Sequence, residues 1–273
     1  MSNIYGVHFG LNEIGFSSSK PIAILRHAEN DARAYHEIVC QQEGKSKLFL
    51  SKEATVENFL KELIDLSKIC SQNDLIVVTF SGHGTRVKDI NDDEQDGYDE
   101  VLVFYDKLLI DDLVKVQFSR FREGVNIFFI TDCCHSGTIS KLLNLDKGIL
   151  TNFIERGFSE DIGQEIFDSN LEYQIIKKSI NENALDLKPS IIHFAACQDD
   201  ETASDGSVIM KHGLLTYKLL KSWNDGLFEG NYNDFFNKIK NQMGGNQNPK
   251  ISFEGQISNI FVDSKPFTKI QNP

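Results

Sequence analysis

Little in this sequence ties the chain together from outside its own core. Of 273 residues only 5 are cysteine and 5 proline. The cysteines, Cys40, Cys70, Cys133, Cys134 and Cys197, are odd in number, none forms a Cys-x-x-Cys pair, and two are adjacent. That pattern is a poor start for a disulfide framework and gives little support to a tetrahedral zinc site. No run of about 18 apolar residues could span a bilayer, and the opening MSNIYGVHFG lacks the basic-then-apolar order of a secretion signal. The expected compartment is therefore the reducing cytoplasm, where a free thiol survives as a nucleophile. Basic residues are also scarce, 28 against 40 acidic, for a formal charge of −12. Such a balance repels phosphate backbones, so nucleic acid is not an expected partner; it favours encounter with basic segments of other proteins. What is present is ordinary globular composition, 40 % apolar and 25 % charged, in a chain long enough to bury a substantial core.

Short apolar runs alternate with helical patterns. Strands are predicted at residues 4–9, 47–50, 75–80, 125–131, 191–195 and 250–253, and helices at 26–41, 56–71, 110–121, 163–180, 214–223 and 232–243. Alternation of this kind predicts an α/β fold with a mostly parallel sheet covered on both faces. The strands LIVVTF and NIFFIT are almost wholly apolar, as central strands are. Residues 142–187 interrupt the rhythm with a more polar stretch containing Lys147, Arg156, Lys177 and Lys178. It reads equally as a surface insertion with one helix and as a linker that can be cut.

Chemistry gathers at two strand ends. LIVVTF runs into Ser81-Gly82-His83-Gly84, and NIFFIT runs into Asp132-Cys133-Cys134-His135-Ser136-Gly137. Ligand sites of open parallel sheets form beyond the carboxyl ends of strands, and neighbouring strands lie about 4.8 Å apart. If the two are neighbours, His83 and a cysteine of the other segment meet across one cleft. An imidazole beside a thiol raises its thiolate fraction. The thiolate can attack a carbonyl while the histidine protonates the leaving amine. Backbone N–H groups near Gly84 and Cys134 would stabilise the oxyanion. A thiol phosphatase is excluded, because the arginine it needs six residues after the cysteine is Ser140 here.

With SGHG after one strand and Asp-x-Cys-His-Ser-Gly after another, the chain resembles the caspase-like peptidases, particularly the metacaspase branch. AENDARAY at 28–35, DEQDGYDE at 93–100, AACQDDETASDG at 195–206 and GLLTYKLL at 213–220 agree with it. The resemblance implies a caspase-like three-layer α-β-α sandwich with a mostly parallel six-stranded sheet. It divides one peptidase domain over 1–273 into a large-subunit-like part (1–141), a possible processing segment (142–188) and a small-subunit-like part (189–273). It implies that Cys134 is the nucleophile and that Cys133 is a wall residue. Asp31, Ser81 and Asp132 match a pocket for Arg or Lys, and Asp199 and Asp200 fall in a stretch that lines the substrate cleft. The implied partners are protein or peptide substrates with a basic cleavage site, together with an activating protease or regulator. The first strand begins within a few residues of Met1, so no preceding recruitment module is expected.

A metal is a further candidate. The stretch 89–100 carries seven acids, but Val103 stands where an EF-hand places its final Glu. Many metacaspases use calcium through acids matching Asp99, Asp111 and Asp112, whereas the place of another family acid holds Lys141, a cation that repels a metal. No cofactor is expected to be required, with Ca2+ as the candidate. The alternatives to a basic-specific peptidase are a caspase-like preference for Asp and a catalytically silent peptide-binding regulator. Both His83 and Cys134 are present, which argues against the latter.

Overall fold

Six runs that combine apolar and β-branched residues assemble into one sheet: β1 (Ile4–Gly10), β2 (Lys45–Leu50), β3 (Leu75–Ser81), β7 (Asn126–Asp132), β8 (Ser190–Ala195) and β9 (Lys250–Gly255). The computed structural model describes residues 2–89, 97–134, 154–170, 185–197, 203–206, 210–243 and 247–270. The strand order is β2-β1-β3-β7-β8-β9, parallel throughout except for β9 at one edge. β1, β3 and β7 are buried along their whole length, which is why their sequences are continuously apolar rather than alternating.

Side chains of β3 leave its two faces in turn. Leu75 and Val77 join one core with α1 (Ala28–Gln41), α5 (Leu214–Trp223) and α6 (Tyr232–Lys240). Ile76, Val78 and Phe80 join the other with α2 (Val56–Ile69) and α3 (Asp111–Phe118). The result is the expected three-layer α-β-α arrangement. The last helix, α7 (Asn259–Val262), adds Phe261 to the first core. Among the described residues no helix is long and apolar enough to cross a membrane.

Two expectations need correction. Residues 83–110 hold a second sheet, β4 (His83–Lys88), β5 (Tyr98–Val103) and β6 (Leu108–Ile110), antiparallel throughout. Glycine, arginine and acids dilute its apolar signal, yet Val87, Val101, Val103 and Ile110 pack against Phe158, Ile162 and Phe167. The helix predicted at 163–180 starts earlier, as α4 (Glu160–Asp168), and residues 171–180 lie outside the described residues. It closes where the Ser169 and Asn170 N–H groups bond the Glu165 and Phe167 carbonyls, the tightened last turn of a helix end.

Candidate active site

β3 and β7 are parallel neighbours in register from Leu75 with Asn126 to Ser81 with Asp132. They end level, so the histidine and cysteine segments stand at the same carboxyl edge of the sheet. His83 opens β4 and is buried. Its Nε2 donates to the Ala23 carbonyl at 2.6 Å. A carbonyl only accepts, so this geometry assigns the proton to Nε2 and leaves the lone pair on Nδ1, which has no hydrogen-bond partner among the described residues. Burial lowers the His83 pKa to about 4; the Ala23 bond opposes that shift and the charge of Arg156 adds to it. The ring is therefore neutral at physiological pH and able to accept a proton.

The adjacent cysteines part company. Cys133 packs into the α2–α3 core and Cys134 into the α1–α5–α6 core, as successive side chains of extended backbone do. The Cys197 thiol donates to the Cys133 carbonyl at 3.6 Å, and the neighbouring Cys134 thiol, followed by burial, holds the Cys197 thiol well above its ordinary pKa. Gly84 N–H and Cys134 N–H both donate to one oxygen, the carbonyl of Arg156, each at 3.0 Å. The two backbone groups named for an oxyanion hole thus converge on a carbonyl already in place.

The side chain of Arg156 is fully buried and fills the pocket beside that carbonyl. Its Nη2 lies 2.6 Å from Asp31 Oδ2, and its Nη1 lies 3.1 Å from Asp132 Oδ1 and donates to the Asp132 carbonyl at 3.1 Å. Asp205 Oδ1 takes two bonds, from Nε at 3.0 Å and Nη2 at 2.9 Å. Burial works against the guanidinium charge, but Asp132, Asp31 and Asp205 outweigh it and hold the group charged. The Asp132 pKa is raised by burial, with Asp31 adding to the shift and Arg156 opposing it.

The acids are themselves fixed. Asp31 Oδ1 accepts from His212 Nδ1 at 2.9 Å and Gly213 N–H at 3.2 Å. Asp132 Oδ2 accepts from the N–H and Oγ1 of Thr216 at 3.0 and 2.7 Å. Asp205 Oδ2 accepts from the Arg26 N–H at 2.7 Å. A Cβ on Gly213 would come within 2.5 Å of Arg156 Cζ, so the pocket wall there accommodates only a glycine without rearrangement. Ser81 sits opposite Asp132 in the register, and its buried hydroxyl makes no hydrogen bond among the described residues.

The structure therefore brings His83, Gly84, Cys134, Asp31, Ser81 and Asp132 to one place, while Asp199, Asp200, His135 and Lys141 lie outside the described residues. Sequence reasoning missed Asp205 and the Ala23 carbonyl. It read residues 142–188 as an insertion or a processing linker and gave Arg156 no role, whereas the Arg156 side chain is buried against Asp31, Asp132 and Asp205. The available signals were Ser204-Asp205-Gly206 just past a strand and a basic residue followed by glycine.

A second cluster stands on the small sheet. Carboxylate oxygens of Asp99, on β5, and of Asp111 and Asp112, at the start of α3, all lie within 4.8 Å of one another. Asp99 and Asp112 are fully buried, and Lys115 Nζ approaches Asp111 at 3.2 Å. Three hard oxygen donors so close together fit calcium.

Residues 23–143 match the family of the metacaspase, peptidase C14 domain. A relative named metacaspase-1 from Meyerozyma guilliermondii is 26 % identical over 234 residues, 74 % of this chain and 56 % of that protein. Metacaspase-1 of Arabidopsis thaliana is 28 % identical over 68 % of this chain and 50 % of its own. Over these stretches the chain is similar to metacaspases. The crystal structure of a Geobacter sulfurreducens protein superimposes with a TM-score of 0.86 at 27 % identity, covering 98 % of this chain and 100 % of that one. The metacaspase-like chain spans about half the length of the curated relatives it matches, for example 56 % and 50 % of the two named here.

Proposed function

We propose that this metacaspase-like chain is a cysteine endopeptidase that cuts after basic residues, arginine foremost, with Cys134 as nucleophile and His83 as base and acid. The observation that carries this reading is Arg156: its guanidinium is held by three buried carboxylates while its carbonyl accepts from both Gly84 and Cys134. That is the posture of the residue preceding a bond about to be broken. An aspartate in the same pocket would face three like charges in a dry environment, which is strongly unfavourable.

The chemistry follows from the atoms. His83 Nδ1 takes the thiol proton of Cys134, whose sulfur turns from Cys197 towards the carbonyl carbon. The oxygen becomes an anion held by the Gly84 and Cys134 N–H groups, each such donor being worth about 100- to 1,000-fold in rate. His83 returns the proton to the departing amine, and the thioester is hydrolysed by a water that the same imidazole activates. The Ala23 carbonyl keeps the ring in the right tautomer. Calcium, where bound, would neutralise Asp99, Asp111 and Asp112; these residues tie β5 to the start of α3 and so brace the sheet that His83 opens. The substrates are proteins or peptides carrying a basic site, met in a reducing cytoplasm.

The test is hydrolysis of reporter peptides ending in Arg, Lys or Asp by the wild type, Cys133→Ala and Cys134→Ala. Cleavage after Arg, kept by Cys133→Ala and lost in Cys134→Ala, is expected. Preference for Asp would overturn the specificity, and activity surviving Cys134→Ala would mean the wrong thiol was chosen.

A further inference from the structure

We infer that Tyr35 and Thr216 are specificity-determining positioning residues: a hydrogen-bond chain from the Tyr35 hydroxyl through that of Thr216 orients Asp132 for the basic side chain of a substrate. The inference rests on the peptidase reading above and adds to its pocket a layer of residues behind the acids.

Tyr35 closes the segment AENDARAY and Thr216 lies within GLLTYKLL. The first belongs to α1, the second to the opening turn of α5, and both are fully buried. The chain they form has one direction. Thr216 Oγ1 donates to Asp132 Oδ2 at 2.7 Å, which uses the one proton of that hydroxyl. Its oxygen can then only accept, so the Tyr35 hydroxyl, 3.1 Å away, donates to it. Burial, followed by the charge of Asp132, raises the Tyr35 pKa well above its ordinary value, and the phenol keeps the proton this bond requires.

Asp132 needs the support. It is fully buried, and burial favours its neutral form. Asp31 adds like-charge repulsion, which Arg156 and the two bonds from Thr216 oppose. Thr216 is the third residue of α5, so its N–H is one of those an α-helix leaves without an internal partner. That N–H and the hydroxyl both go to Oδ2, which turns Oδ1 to the guanidinium at 3.1 Å. Fixed donors thus hold the carboxylate charged and aimed, the preorganisation that lowers the cost of binding a cation. Hydrogen bonds in series polarise one another, so the Tyr35 bond makes the Thr216 hydroxyl a better donor. A tyrosine buried for packing alone would be satisfied by any acceptor. Here its hydroxyl ends on an oxygen whose own proton is committed to a pocket acid.

The test measures KM and kcat for an Arg-ended reporter on wild type, Thr216→Val, Thr216→Ser and Tyr35→Phe, with melting curves for each. Valine keeps the shape of threonine without a donor, whereas serine keeps the hydroxyl. Thr216→Val loses a hydrogen bond to a charged group and should raise KM about tenfold or more, with kcat changed by about threefold or less. Tyr35→Phe should raise KM by about three- to fivefold, the smaller effect of a bond one step removed. Thr216→Ser should stay within about threefold of wild type in both constants. An unchanged KM in Tyr35→Phe and Thr216→Val, a fall in kcat with KM unmoved, or an equal loss in Thr216→Ser and Thr216→Val overturns the inference and leaves the peptidase reading standing. If Thr216→Val does not melt cooperatively, Tyr35→Phe and Thr216→Ser decide by the same criteria. A wild type that cuts no Arg-ended reporter overturns the peptidase reading, and the inference with it.

Discussion

Asp205 offers the sharpest test of how the pocket reads its substrate. Among the described residues it is the one acid that contacts Nε of the Arg156 guanidinium, and it also contacts Nη2. Lysine places a carbon where arginine has Nε, so it cannot make the first bond. Asp205→Asn removes the charge, yet it keeps an oxygen able to accept from the Arg26 N–H that anchors this loop. Hydrogen bonds to charged groups are worth about 1.5–3 kcal/mol each and are not additive. A loss of about 2–3 kcal/mol is expected for arginine, which corresponds to a fall of about 30- to 150-fold in kcat/KM. For lysine only the longer-range attraction is lost, about tenfold or less. The assay compares Arg- and Lys-ended reporters on wild type and Asp205→Asn; their ratio does not depend on what fraction of the enzyme is active. An Arg-to-Lys ratio that drops several-fold supports the geometry. Equal losses on both reporters, or none, would refute it.

Other perturbations read other parts of the structure. His83 and His8 are buried with pKa values lowered to about 4 and about 3, burial being the main cause of each. Such groups confer stability above the unfolded value near 6.5 that is lost as pH falls towards the folded values. Over its full shift His83 is worth about 3 kcal/mol and His8 about 5 kcal/mol. Denaturant midpoints should therefore fall between pH 6.5 and pH 4, with Asp132, whose pKa is raised from 3.8, working in the opposite sense between its folded value and 3.8. Flat midpoints over that range would contradict the burial of both rings. Phe128→Ala, which empties a site ringed by Phe194, Tyr232 and Phe267, should cost about 3–5 kcal/mol and lower Tm by about 10 °C. Calcium titration with a chelator control should raise the activity or Tm of wild type and leave Asp99→Asn unchanged; an equal response from both would remove the acidic cluster from the account.

The sequence was most legible where burial is complete. LIVVTF and NIFFIT are apolar because both their faces are covered, and their abrupt ends in Gly-flanked polar residues marked the edge where the site stands. The adjacent cysteines were separable in principle, since neighbouring residues of extended backbone face opposite layers. The small sheet was hidden because Gly84, Thr85, Arg86, Asp99 and Glu100 dilute the apolar signal of β4 and β5, although consecutive residues of both strands are buried. Asp205 and Ala23 were illegible for a different reason. Their roles exist only when the chain folds Asp205 under a guanidinium 49 residues away in sequence and Ala23 onto an imidazole 60 residues away. Arg156 lay in a polar stretch that looked like surface, because no local pattern marks a basic residue that will be buried against acids from three separate segments.

The most direct measurement of the central claim is covalent trapping. The wild-type chain is treated with matched peptidyl reagents that alkylate an active thiol, one ending in Arg and one in Asp, and the adduct is mapped by mass spectrometry. The account predicts one adduct, on Cys134, formed at least tenfold faster by the Arg reagent and suppressed by His83→Ala. An adduct on Cys133 or Cys197, or faster labelling by the Asp reagent, would contradict it.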